Sequence, residues 1–195
     1  MGRWGAFLYY PSERSPQELY PDLTADPMAG CVPGWTAWDF GRQLPDHFAQ
    51  TIAAAFGVPL VAAEIWDSDA AMLTFCGHGS ELAWSMPIHQ DMYIDYIAGP
   101  GHAPFYADGT PMSEQDEAEL KAQHDRKIES ARERVAKTFP VGEAAGRRAV
   151  EWAVATGLTP QSVERVAAAL GGDNVFVEET IWEIAATLGI SVLRE

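Results

Sequence analysis

Apolar and polar residues follow two different periods along this chain, and the change falls just past its middle. The pattern is densest between Pro59 and Pro87. Residues 60–66 form an apolar run with one charge, Glu64. Asp67-Ser68-Asp69 interrupts it with short polar side chains that bond their own backbone and favour turns. Residues 71–76 resume the run, and Gly77-His78-Gly79-Ser80 breaks it again. Leu82, Trp84 and Met86 then alternate with Glu81, Ala83 and Ser85, the period of two that marks a half-buried strand. The stretch predicts a three-stranded meander at the centre of an antiparallel sheet, with Asp67-Ser68-Asp69 in a type I turn.

The flanking segments extend this reading. Arg3 to Tyr10 predicts a first strand ended by Pro11, and Gly34 to Gly41 a short strand bounded by glycines. Residues 11–33 read as a long loop. Within it, Ser15 and Pro16 suit the cap and first position of a helical turn. Asp46 to Phe56 predicts a helix whose apolar face is Phe48, Ile52, Ala55 and Phe56, closed by Gly57. Residues 88–98 fit either period: Ile88, Met92 and Ile94 alternate, while Met92, Tyr93, Tyr96 and Ile97 suit a helix.

Beyond the Pro- and Gly-rich stretch 99–111 the period becomes helical. Ser113 and Asp116 resemble a capping box opening a polar helix from 114 to about 138, ended by Pro140. Three more helices are predicted: 143–156, one capped by Thr159-Pro160 with Val163, Val166, Ala167 and Leu170 on its stripe, and 177–188 with Ile181, Ile184, Ala185 and Leu188. The fold class is therefore α+β. Residues 1–111 are expected to form a sheet domain of four to six strands with one packed helix, and residues 112–195 a helical C-terminal region packed on it.

Composition narrows the function classes. At 195 residues and 47% apolar content the chain can bury a real core. No apolar run reaches the ~20 residues a bilayer span needs. The opening lacks an apolar signal core and a cleavage site, and Ala6 stands where a myristoylation motif wants Ser or Thr, so the expected compartment is the cytoplasm. Cys31 and Cys76 are read as reduced thiols. The net charge is −15. It is uneven: residues 1–111 hold three basic side chains against 13 acidic ones, and residues 112–195 hold 10 against 15. Such a field repels nucleic acid and anionic membrane and steers basic partners toward the first half.

Candidate chemistry is sparse. Asp67-Ser68-Asp69 ends an apolar strand, where two carboxylates one residue apart could share a divalent ion; a turn demands the same residue types. His78, His89, Asp91, Asp95, His102 and Asp108 fall within 31 residues. Imidazole and carboxylate can hold a transition metal, but the spacings match no established ligand pattern. Asp67, Asp69, His89 and His102 form the metal alternative. Gly77-His78-Gly79-Ser80 is not a nucleophile elbow, and no phosphate loop or dinucleotide fingerprint occurs. Trp4, Trp35, Trp38, Trp66 and Trp84 suit a core, or an aromatic patch on an acidic surface.

Three motifs carry a resemblance: the opening Met1-Gly2-Arg3-Trp4-Gly5-Ala6-Phe7, the strand end Glu64-Ile65-Trp66-Asp67-Ser68-Asp69, and Val175-Phe176-Val177-Glu178-Glu179 running into Leu188-Gly189-Ile190. Together they resemble a family of small uncharacterised proteins of actinobacterial type, a likeness that the excess of Arg over Lys suits. The resemblance implies no catalytic residue. Size, acidity and lack of an active-site signature also look like bacterial toxin-immunity proteins, a likeness of type that rests on no motif. The expectation is a non-enzymatic, cytoplasmic protein with no cofactor that binds a basic protein, an inhibitor of the immunity type. Asp67, Asp69, Asp91 and Asp95 would supply charge, and Tyr93 and Tyr96 would supply aromatic anchors. The alternative is a divalent-metal-dependent transferase or hydrolase built on the Asp67–Asp69 turn.

Overall fold

The computed structural model describes residues 4–78, 83–100, 110, 112–172 and 174–191. Six strands form one antiparallel sheet: β1 (Gly5–Tyr10), β2 (Asp26–Met28), β3 (Thr36–Phe40), β4 (Leu60–Trp66), β5 (Ala70–Cys76) and β6 (Trp84–Ile88), in the order β2-β3-β1-β4-β5-β6. The α+β class and the meander β4-β5-β6 agree with the apolar pattern. The meander runs from the middle of the sheet, where β4 lies beside β1, out to an edge. Trp84 and Met86 are buried as the alternation predicts. Leu82, Gly79 and Ser80 lie outside the described residues.

β1 is buried along its whole length, which requires cover on both faces of the sheet. Because side chains alternate sides, Ala6, Leu8 and Tyr10 join Phe40, Leu60 and Ala62 on one face. There they pack with Phe48, Ala49 and Ile52 of helix α1 (Phe48–Phe56). The other face meets helices α4 (Gly142–Ala155) and α6 (Val177–Thr187), and α5 (Val163–Leu170) packs against both of them. Trp152 of α4 sets its ring edge-on to Phe75 at 5.3 Å and donates its indole N–H to the Cys76 carbonyl at 3.0 Å. Trp182 of α6 lies 6.2 Å from Phe7. Phe75 in turn stacks on Trp84 at 4.3 Å with rings 3° from parallel, and the Arg148 guanidinium sits 5.2 Å from the Trp84 ring. Both edge strands carry a proline, Pro27 in β2 and Pro87 in β6. A missing donor on an exposed edge discourages further strand pairing.

Local chemistry explains several boundaries. Ser15 does cap a short turn, Pro16–Glu18, through a capping box. The long loop around it also contains β2, three residues without an apolar alternation that could reveal them. α1 begins at Phe48, two residues after Asp46, because His47 adopts a left-handed conformation (φ 58°) ahead of it. α5 is capped by Ser162 rather than by Thr159-Pro160. Residues 159–161 instead lie against the end of α6: Gln161 N–H donates to the Thr187 carbonyl at 2.8 Å, and a Cβ on Gly189 (φ +80°) would stand 2.7 Å from the Thr159 carbonyl oxygen. Both thiols are free, as expected.

The chain forms two compact units: residues up to His89 with those from Pro140 onward, and Gln90–Phe139. In the second unit the ambiguous segment resolves into helix α2 (Gln90–Ala98), which packs on α3 (Glu114–Thr138) through Ile94, Ala131 and Val135. Ser113 caps α3 as predicted. No helix among the described residues is long and apolar enough to cross a membrane.

Three stability tests follow from this packing. Trp84→Ala should cost about 3–5 kcal/mol in denaturant melts; a loss below about 1 kcal/mol would contradict its stacked, buried placement. Gly146→Ala should cost about 1–3 kcal/mol, because the new Cβ would meet Ala167 Cβ and the Val163 carbonyl oxygen at 2.7 Å, where α4 and α5 touch. Burial, and then the neighbouring Asp46 carboxylate, raises the Glu64 carboxyl above its ordinary range. A carboxyl whose folded value is raised costs stability when ionised and costs nothing once protonated. Glu64→Gln should therefore raise the denaturation midpoint at neutral pH, with the gain vanishing as pH falls through the carboxylate range. An equal gain at both pH values would trace to packing.

Candidate functional site

The β4–β5 turn is left-handed. Asp69 N–H donates to the Trp66 carbonyl at 3.1 Å, closing the turn, but Asp67 and Ser68 have φ of 53° and 60°. This corrects the expected type I turn to its mirror image, the form whose twist matches a hairpin. Asp and Ser tolerate the left-handed region less well than glycine, and the strain needs support from outside.

Helix α6 supplies that support. Its N-terminal residue Phe176 offers no side-chain cap, and the Val177 N–H donates instead to the Ser68 carbonyl at 3.0 Å. The buried Ser68 hydroxyl donates to Glu178 Oε1 at 2.7 Å. Glu178 lies in the first turn of α6, where the helix dipole favours an anion. Its second oxygen, Oε2, is buried with no partner among the described residues. His89 (φ 53°) closes the other side of the junction. A carbonyl can only accept, so His89 Nδ1 donates to Asp69 O at 2.9 Å, and Nε2 then accepts from Thr180 Oγ1 at 3.1 Å. Thr180 Oγ1 accepts from Asn174 Nδ2 at 3.1 Å.

These bonds decide what the predicted metal residues can do. Asp67 and Asp69 are exposed at the hairpin tip, and both ring nitrogens of His89 are engaged. Among the described residues no group of three or more His, Cys, Asp or Glu is arranged to hold a metal ion. His102 and Asp108 lie outside the described residues.

The other expected binding residues belong to the second unit. Asp91, Met92, Asp95 and Tyr96 are exposed on α2, with Met92 at 44% and Tyr96 at 53%. Tyr93 turns the other way, 6.3 Å from the Phe139 ring. Its hydroxyl is raised by burial, against the opposing pull of Arg134. The outer face of α2 thus pairs two carboxylates with one thioether and one phenol. α3 carries basic side chains of its own, Arg126, Lys127 and Arg134, along a shallow groove.

Cysteine chemistry does not emerge as a site. Burial raises the Cys31 thiol and pushes Cys76 up to about 11, so neither is activated as a thiolate. The sequence reading missed Ser68, Glu178, Thr180 and Asn174 as a connected set. Its one available signal was Thr180 and Glu178 interrupting the apolar stripe of a buried helix. Comparison with protein-family models, curated proteins and solved structures finds no match.

The junction is testable by substitution. Ser68→Ala should cost about 1–3 kcal/mol, since it leaves a buried carboxylate oxygen unsatisfied. Asp67→Val should cost about 1–2 kcal/mol through the left-handed backbone, whereas Asp67→Gly should hold or raise the melting midpoint. Equal midpoints for the valine and glycine variants would mean the turn relaxes to another form in solution.

Proposed function

We propose that this is a non-enzymatic, cytoplasmic protein that binds a basic protein partner, with an inhibitor of the immunity type as the expected role. The observation that carries the reading is the exposed face of α2, where Asp91 and Asp95 flank Met92 and Tyr96. Aromatic and methionine side chains are enriched where proteins meet, and central aromatics supply most of the binding energy. Carboxylates around them select Lys and Arg and accelerate encounter. The overall charge of −15 acts in the same direction, and the exposed carboxylates of Asp67 and Asp69 add to it.

A Lys/Leu amphipathic peptide serves as the probe, with a Glu/Leu peptide of the same apolar pattern as its control. Association with the basic peptide should slow steeply as the Debye length shrinks to about 8 Å at physiological salt. Changing Asp67, Asp69, Asp91 and Asp95 together to Asn should cut the on-rate by about tenfold or more at low salt, flatten its salt dependence and leave the melting curve in place. Tyr96→Ala should act on the off-rate. Equal binding of the acidic peptide, or an on-rate indifferent to salt and to the four changes, would overturn the reading.

A further inference from the structure

A cleft of about 370 Å³ opens where β2 and β3 meet α5 and α6, within the first unit. Its size falls at the small end of the range for small-molecule sites, which pair an apolar lining with a few convergent polar groups. The lining here has that composition. Met28 and the buried Ala37 come from the sheet, and Trp182, 48% exposed, comes from α6. Arg165 of α5 and Glu179 and Glu183 of α6 supply the charges.

These charges are unpaired. Among the described residues Arg165 has no carboxylate within 4.0 Å, and Glu179 and Glu183 have no cationic partner. Arg14, Lys121, Arg132, Lys137 and Arg147 each reach a nearby acid on their own segment, whereas Arg42, Arg126, Lys127 and Arg134 share with Arg165 the lack of one among the described residues. A guanidinium and two carboxylates therefore border one space and leave their strongest interactions unmade. A simple anion entering the cleft would meet two carboxylates, and a simple cation would meet the guanidinium. A molecule carrying both charges satisfies both sets: its carboxylate takes the paired N–H donors of Arg165, and its ammonium sits between Glu183 and the face of Trp182. The apolar lining then covers an uncharged side chain.

We propose that this cleft binds a small zwitterion of the α-amino acid class with an apolar side chain. The probes are free L-leucine, L-methionine and L-tryptophan, each beside its N-acetyl and carboxamide derivatives, followed by calorimetry and ligand-observed NMR. Free amino acids should bind, and masking either charged end should weaken binding on the order of tenfold or more. Arg165→Gln should weaken the free amino acid while leaving its carboxamide unaffected, and Glu183→Gln should do the converse with the N-acetyl form. Arg165 is exposed and unpaired, so its variant should melt as the parent does; the derivative series on the parent protein needs no variant. No binding of any free amino acid at about 10 mM, equal affinity of masked and free forms, or an Arg165→Gln variant that binds free amino acids unchanged would overturn the proposal.

Discussion

Everything in the first unit depends on a strand with no solvent face. Gly5 to Tyr10 is buried throughout, so both sides of the sheet must be covered by apolar surface from elsewhere. The chain meets this with α1 on one face and α4 and α6 on the other. Burial on both faces also fixes register, because a slip by one residue would exchange the two sets of side chains. Toward β6 the α1-side face becomes polar, with Thr74 and Ser85 hydrogen-bonded across the strands at 3.1 Å. A single short helix suffices because the surface left to cover there is small.

The junction between the hairpin and α6 is a second consequence. A helix whose first turn is buried against a sheet cannot leave its N–H groups to water, and Phe176 cannot cap it. The hairpin supplies the carbonyl of Ser68, and the left-handed turn aims that carbonyl and the Ser68 hydroxyl at α6 together. Strain in the turn and satisfaction of the helix end are thus linked. His89 and Thr180 carry the same link to the start of the segment that leaves the sheet. Most hydrogen bonds of these polar side chains are made within the junction, while Glu178 Oε2 has no partner among the described residues.

Charge is distributed differently from structure. The junction is largely internally satisfied, whereas the outer face of α2 exposes Asp91 and Asp95, and the cleft beside Trp182 is bordered by Arg165, Glu179 and Glu183. The two differ in shape and in the signs of charge they offer. One is an exposed helix face bearing two carboxylates, a thioether and a phenol. The other is concave and offers both signs of charge around an apolar lining. They lie in different compact units.

Read alone, the sequence determines what neighbouring residues control. The strands at 60–66 and 71–76, the caps at Ser15 and Ser113, and the helix ends at Gly57 and Gly189 follow from periods and backbone preferences acting over a few positions. The segment 88–98 stays open because Ile88, Met92 and Ile94 alternate like a strand while Met92, Tyr93, Tyr96 and Ile97 suit a helix. Tertiary structure decided the rest. β2 is a strand because β3 offers it an edge; Pro27 disposes Asp26 to extended backbone, but no apolar alternation marks the segment as a strand. Asp67 and Ser68 are left-handed because α6 needs a carbonyl from 109 positions away along the chain. Arg165, Trp182 and Glu183 share a cleft with Met28 and Ala37 only after the helices cross the sheet. Local pattern carries the free energy of turns and faces; which faces meet is set by burial of surface between distant segments, and no short stretch of chain records it.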